Sequence, residues 1–132
     1  MTKTALDLLI AGIEMQSEFN VYVSGISGLP VTVTTDIQSA TPPCAMITMQ
    51  RAEYGIGGGE GGCLFQITLI LPLFASLDKV LHATDLFAGT LYERTLRSRT
   101  GVRLTGVTVS GVEESADRPG VWVVSVLCEF KF

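Results

Sequence analysis

The residues from Cys63 to Leu71 constrain the fold more than any other stretch of this chain. Cys63, Phe65, Ile67, Leu69 and Leu71 alternate along it, which places them on one face of a β-strand. The residues between them are Leu64, Gln66, Thr68 and Ile70, too apolar a set for a face that meets only water. The end of the chain repeats the pattern. Trp122, Val124, Val126, Cys128, Phe130 and Phe132 share one face, and Val121, Val123, Ser125, Leu127, Glu129 and Lys131 share the other. Such a strand is central in its sheet, or a neighbour covers its edge. A chain of 132 residues builds one core, and only 17% of this one is charged, against an average of about 25%. The expectation is that both faces of these strands are covered, with apolar surface hidden against other subunits.

The remaining elements follow from periodicity. From Thr4 to Met15 the residues Leu6, Leu9, Ile10 and Ile13 have i, i+3, i+4, i+7 spacing, with Asp7 and Glu14 on the other side, which predicts a short amphipathic helix. Asn20 to Val23 and a Gly/Ser/Pro cluster through Pro30 lead into Val31 to Ile37, whose period of two predicts a half-buried strand. Pro42-Pro43 closes a turn from Ser39. Ala45 to Tyr54, Gly55 to Gly62 and Cys63 to Leu71 then read as a long hairpin with an extended tip.

Ser76 is placed to cap a long helix with Asp78 in its first turn, running on to Ser98. Its inner stripe is Leu77, Val80, Leu81, Thr84, Phe87, Ala88, Leu91 and Thr95, and Leu86 sits among polar residues about 180° from Leu77. A second hairpin joins Val102–Ser110 to Val121–Phe132 through Asp117-Arg118-Pro119-Gly120. In its first strand the apolar phase jumps across Gly106, which predicts a β-bulge. The predicted architecture is a single α+β domain over residues 1–132. It has a mainly antiparallel twisted sheet of four to five strands, with one short N-terminal helix and one long helix packed on it.

Chemistry is sparse. Gly57-Gly58-Gly59-Glu60-Gly61-Gly62 satisfies G-x-G-x-x-G, but a strand follows it instead of the helix whose N-terminus would meet a phosphate, and no Lys-Ser/Thr pair follows. The segment reads as a hairpin tip, or as a loop that orders against another protein. His82 is the sole histidine, on the polar side of the long helix, with no ligand or nucleophile partner at useful spacing. Glu113, Glu114 and Asp117 sit beside Arg118 at a hairpin end, where a solvated turn explains them. No catalytic constellation, metal site or cofactor motif is found.

Cys44, Cys63 and Cys128 lack C-x-x-C spacing and lie in apolar strands, as buried free thiols do. Arg94, Arg97, Arg99 and Arg103 gather near the end of the long helix, where they either complement its dipole or meet an acidic patch on a partner subunit. A net charge of −4 argues against general nucleic-acid binding. The longest nearly apolar run falls far short of the roughly 20 residues that span a bilayer, and Asp7 interrupts any signal-peptide core. The chain therefore reads as made in the cytoplasm, without a membrane partner.

The order of elements resembles the tail terminator proteins of long-tailed bacteriophages. The likeness is carried by Pro43-Cys44-Ala45-Met46-Ile47-Thr48-Met49, Arg51-Ala52-Glu53-Tyr54 and Phe65-Gln66-Ile67-Thr68-Leu69-Ile70-Leu71-Pro72, then by Leu104 to Phe132 with its aromatic-ended last strand. With the two helices it spans nearly the whole chain. The resemblance implies a virion protein of the tail's head-proximal end, assembled in the host cytoplasm as a hexameric ring. Such a ring caps the tail tube, ends its polymerisation and offers the surface for head joining. The implied partners are further copies of the chain, the tail tube protein and a neck or head-completion protein, with DNA only passing through the lumen. A neck, connector or tail-completion protein is the nearest alternative, and a small-molecule-binding α+β domain the more distant one. The candidate contacts are Gly57, Gly58, Gly59, Glu60, Gly61 and Gly62 in the loop, Leu86 on the long helix, and Arg94, Arg97 and Arg99. With Glu60 as the loop's single acid, a strongly acidic loop contact does not carry over.

Overall fold

A computed structural model describes residues 1–55, 61–93 and 96–132. The chain runs α1 (Thr2–Glu14), α2 (Ser17–Ser27), β1 (Thr32–Thr34), a 3-10 turn at Ile37–Ser39, β2 (Cys44–Glu53), β3 (Gly62–Leu71), α3 (Leu77–Glu93), β4 (Arg103–Glu114) and β5 (Trp122–Lys131). The strands form one sheet in the order β1-β2-β3-β5-β4. β2, β3, β5 and β4 pair antiparallel, while β1 joins β2 in parallel, so the sheet is mixed. β5 lies inside the sheet, as its pattern required.

One face of the sheet supplies the core. Cys63, Phe65, Ile67, Leu69 and Leu71 of β3 and Val124, Val126, Cys128 and Phe130 of β5 are buried with residues of all three helices in a single cluster. The alternate residues, Leu64, Gln66, Thr68 and Ile70 with Val123, Ser125, Leu127 and Glu129, are half-buried and take no part in that cluster. The chain thus covers one face of these strands and leaves the other open. The bulge predicted at Gly106 is present between Leu104 and Gly106, and a second register shift falls between Val109 and Gly111.

Three expectations need correction. The chain has three α-helices, because Ser17–Ser27 folds as α2 where only a Gly/Ser/Pro segment was read. Phe19, Val23 and Ile26 form its inward side, and Gly28 ends it in the left-handed conformation at φ +77°, its N–H donating to the Ser24 carbonyl at 2.8 Å. β1 is shorter than Val31 to Ile37. The Asp36 carboxylate accepts from the Gln38 N–H at 3.0 Å and from Ser39 Oγ at 3.1 Å, which turns the chain out of the strand.

α3 is described over Leu77–Glu93, and the helix does not reach Ser98. Beyond it Leu96 and Ser98 bond back to the start of β4, through Leu104 N–H to the Leu96 carbonyl (2.8 Å) and Ser98 N–H to the Val102 carbonyl (2.7 Å). Its buried side is Val80, Ala83, Thr84, Phe87 and Leu91, so Leu77 and Leu81 are rotated out to solvent.

All three cysteines are free and buried, and burial raises each thiol, Cys128 to about 12. A thiol that ionises near 9 when unfolded and near 12 when folded favours the fold below pH 9, and that contribution is lost as pH rises to 12. Denaturant titrations should show stability falling over this interval, with up to ~4 kcal/mol of the loss due to this group. The Cys128→Ala variant should lose less over the same interval.

Candidate assembly surfaces

The register of the sheet brings two of the three predicted contact groups to one end of the molecule. Glu53 pairs with Gly62, Gly62 with Lys131, Lys131 with Arg103, and Arg103 bridges to Arg97, so the loop base and the arginine turn share one row across the sheet. Gly57, Gly58, Gly59, Glu60 and Arg94 lie outside the described residues. Arg97 and Arg99 are exposed. They belong to a turn closed by Ser98 Oγ, which accepts from the Thr100 and Val102 N–H groups at 3.2 Å each, with Gly101 at φ +93°. They do not extend the end of α3.

At this end Arg51, Arg97, Arg99, Arg103 and Lys131 accompany Glu53 and Glu129, so an acidic chain has a basic end. Arg51, Glu53, Gly61, Gly62, Cys63, Glu129, Phe130 and Lys131 line a recess of about 290 Å³ there. The single ion pair among the described residues is Lys3–Asp7, on the surface of α1. The charges of the basic end are therefore unpaired within the described protomer. The opposite end, at the β4–β5 turn, carries Glu113, Glu114 and Asp117 with Arg118.

Gly61 and Gly62 have a structural reason to be glycine. A Cβ on Gly62 would sit 2.6 Å from the Phe130 carbonyl oxygen, and one on Gly61 would collide with the Glu53 carbonyl. Gly62→Ala should cost about 1–3 kcal/mol, measurable as a lower denaturation midpoint, because backbone must move to admit the methyl group.

Leu86 stands apart from that end. It is half-buried because α2 lies beside it, and with Ser17, Glu18, Val21, Tyr22 and His82 it lines an open apolar groove of about 540 Å³. His82 packs edge-on against Tyr22, ring centroids 4.7 Å apart, and Tyr22 in turn meets Phe74 at 6.3 Å. A helix that the sequence pattern did not announce is what makes this groove. Among the described residues no three His, Cys, Asp or Glu side chains come together as a metal site, and no helix is long and apolar enough to cross a membrane.

The large exposed apolar side chains are not where the sequence placed them. None belongs to the open face of β3 and β5. Met49 (53% exposed) and Tyr54 lie on the β2 side of the sheet. Val109 (41%) lies on β4, and Leu77, Leu81 and Tyr92 (77%) lie on the flank of α3 turned away from Leu86. The open face carries Arg51, Arg103 and Lys131 against Glu53, Glu113 and Glu129, a balanced set. Val21, Leu29, Ile37 and Leu73 are exposed as well, on α2 and in the connecting segments, and within the protomer the second faces of β3 and β5 are not covered.

No protein-family model matches the chain, and no curated protein matches it. Among solved structures, a chain from the virion of a native gene transfer agent (GTA) particle has a similar fold. The two superpose with a TM-score of 0.54 over 93% of this chain and 92% of the other, at 15% sequence identity. The likeness in fold thus extends over nearly the whole architecture described above.

Proposed function

We propose that this chain is a structural virion protein that closes into a ring of six copies on the head-proximal end of a phage tail tube. The ring stops tube polymerisation and presents the surface to which a neck or head-completion protein joins. The observation that carries this reading is the exposure of Met49 with Tyr54 on one lateral side of the sheet and of Val109 on the other. Two unlike patches on opposite sides of one protomer suit a head-to-tail interface, which makes rings when its rotation closes. The fold shared with a virion protein supports the setting, and the resemblance to tail terminators supplies the place in the particle.

In such a ring the helix layer takes the outer circumference, where there is more room, and the open sheet face turns to the bore. Its balanced charges give DNA little to adhere to, since sequence-independent affinity needs clustered Lys and Arg. The basic end, with Arg97, Arg99 and the base of the Gly57–Gly62 loop, is the surface for an acidic ring above or below. Deleting the gene should give overlong or headless tails in electron micrographs. Tails of normal length that fail only to join heads would assign the chain to the neck instead.

A further inference from the structure

We infer that the ring closes by sheet continuation: the open edge of β4 beyond Leu104 in one copy pairs antiparallel with the Ile47–Arg51 edge of β2 in the next copy. This rests on the ring reading and names the surface that would build it.

Both edges are open. β1 covers β2 only at Cys44, Ala45 and Met46, and among the described residues no strand or backbone hydrogen bond occupies the outer edge of β2 beyond that point. On the far side of the sheet the Leu96–Ser98 segment bonds to β4 only as far as Leu104, and among the described residues no strand pairs with its outer edge beyond that point. From Leu104 to Val112 β4 contains neither a charged residue nor a proline, the usual guards of an edge strand. The strand senses also agree. β2, β3, β5 and β4 alternate in direction, so β4 opposes β2, and a rotation about an axis along the strands preserves that opposition.

Shape and charge match at one level. The pairing rows place Met49 level with Val107 and Ile47 level with Val109. Beside the β2 edge, on the helix side, Thr2, Lys3, Leu6, Thr35, Ile47, Met49 and Phe65 form an apolar groove of about 330 Å³. Val107 and Val109 project from the same side of β4, since they pair with the core residues Cys128 and Val126. Edge pairing would set these valines into that groove.

In the same register Glu53 of the next copy comes to the level of Arg103, whose outer side Arg97 already holds. Lys131, Arg103 and Arg97 are three cations in succession along that row, and Glu53 of the next copy adds an anion beside Arg97. The register shift between Val109 and Gly111 falls at the level of Met46, where β1 begins to cover β2. A bulge re-aims a strand, and here it turns Gly111–Glu114 away from the place β1 holds.

The test is disulfide trapping in the full chain, alone and with purified tail tubes. Met49→Cys with Val107→Cys should give, on mild oxidation, a reducible ladder of intermolecular species ending at the ring. Each single variant should give dimers at most. Glu53→Arg should weaken assembly several-fold, and adding Arg97→Glu to the same chain should restore it, while circular dichroism stays unchanged. Rings visible by microscopy with no ladder from Met49 paired with Thr105, Val107 or Val109, and no rescue by the charge swap, would overturn edge pairing and leave the ring standing. No assembly of the unmodified chain at any concentration, with or without tubes, would overturn the ring reading itself.

Discussion

Val126→Lys should unfold the protein, and Leu127→Lys should leave it folded. Val126 is fully buried, flanked by Ile67 of β3 and Val109 of β4, under the helix layer. A lysine there has no acidic partner in the core, and an unpaired buried charge costs several kcal/mol. That is comparable with the whole stability of a domain, roughly 5–15 kcal/mol. Leu127 points to the opposite face between Gln66 and Thr108, with Glu129 two residues along on the same side. The same cation there stays in water beside an anion and should change stability by no more than about 1 kcal/mol. Thermal unfolding of the two variants separates the outcomes, and equal destabilisation by both would contradict a sheet covered on one face only.

Phe87→Ala is the second large effect. Phe87 is buried against α2, its ring 5.0 Å from Phe19 at an angle of 60°, and its carbonyl accepts from Gln16 Nε2 at 3.1 Å. Removing the ring deletes both its burial and its contact with Phe19, a loss of about 3–5 kcal/mol for a Phe-to-Ala change in a packed core. For a domain of this size the melting temperature should fall by on the order of 10–20 °C. A drop of only a few degrees would mean that α2 does not depend on α3 for its place.

What the sequence revealed, and what it hid, divides along physical lines. The β2–β3 hairpin, the central position of β5 and the bulge at Gly106 were legible because alternation is local and each strand carries it unbroken. α2 was missed because Gly25, Asn20 and the β-branched Val21 and Val23 weaken its helical pattern. Phe19, Val23 and Ile26 at helical spacing, with Glu18 in the first turn and Gly28 and Pro30 after the end, were the signals that could have found it. The end of α3 was overrun for the opposite reason. Arg94 to Arg97 suit a helix well enough to continue it on paper, but the hydroxyl of Ser98 and the positive φ of Gly101 build a turn.

The candidate surfaces were harder still. Alternation shows which residues of a strand share a face, and it cannot show which face the helices take. Nor does it show which strands lie outermost, since that follows from strand order, a property of the whole chain. Hence Leu64, Ile70 and Leu127 were assigned to an interface, while Met49, Val109, Leu77 and Tyr92, which are far more exposed, went unnoticed. Arg97 and the Gly61–Gly62 base were both named as contacts, yet their meeting in one row across the sheet needed the register to be seen.

Electron microscopy of the purified chain, alone and mixed with tail tubes, tests the central claim most directly. The prediction is closed rings with six-fold symmetry, free in solution or seated on one end of each tube. A monomer at every concentration that leaves tube ends bare would contradict it.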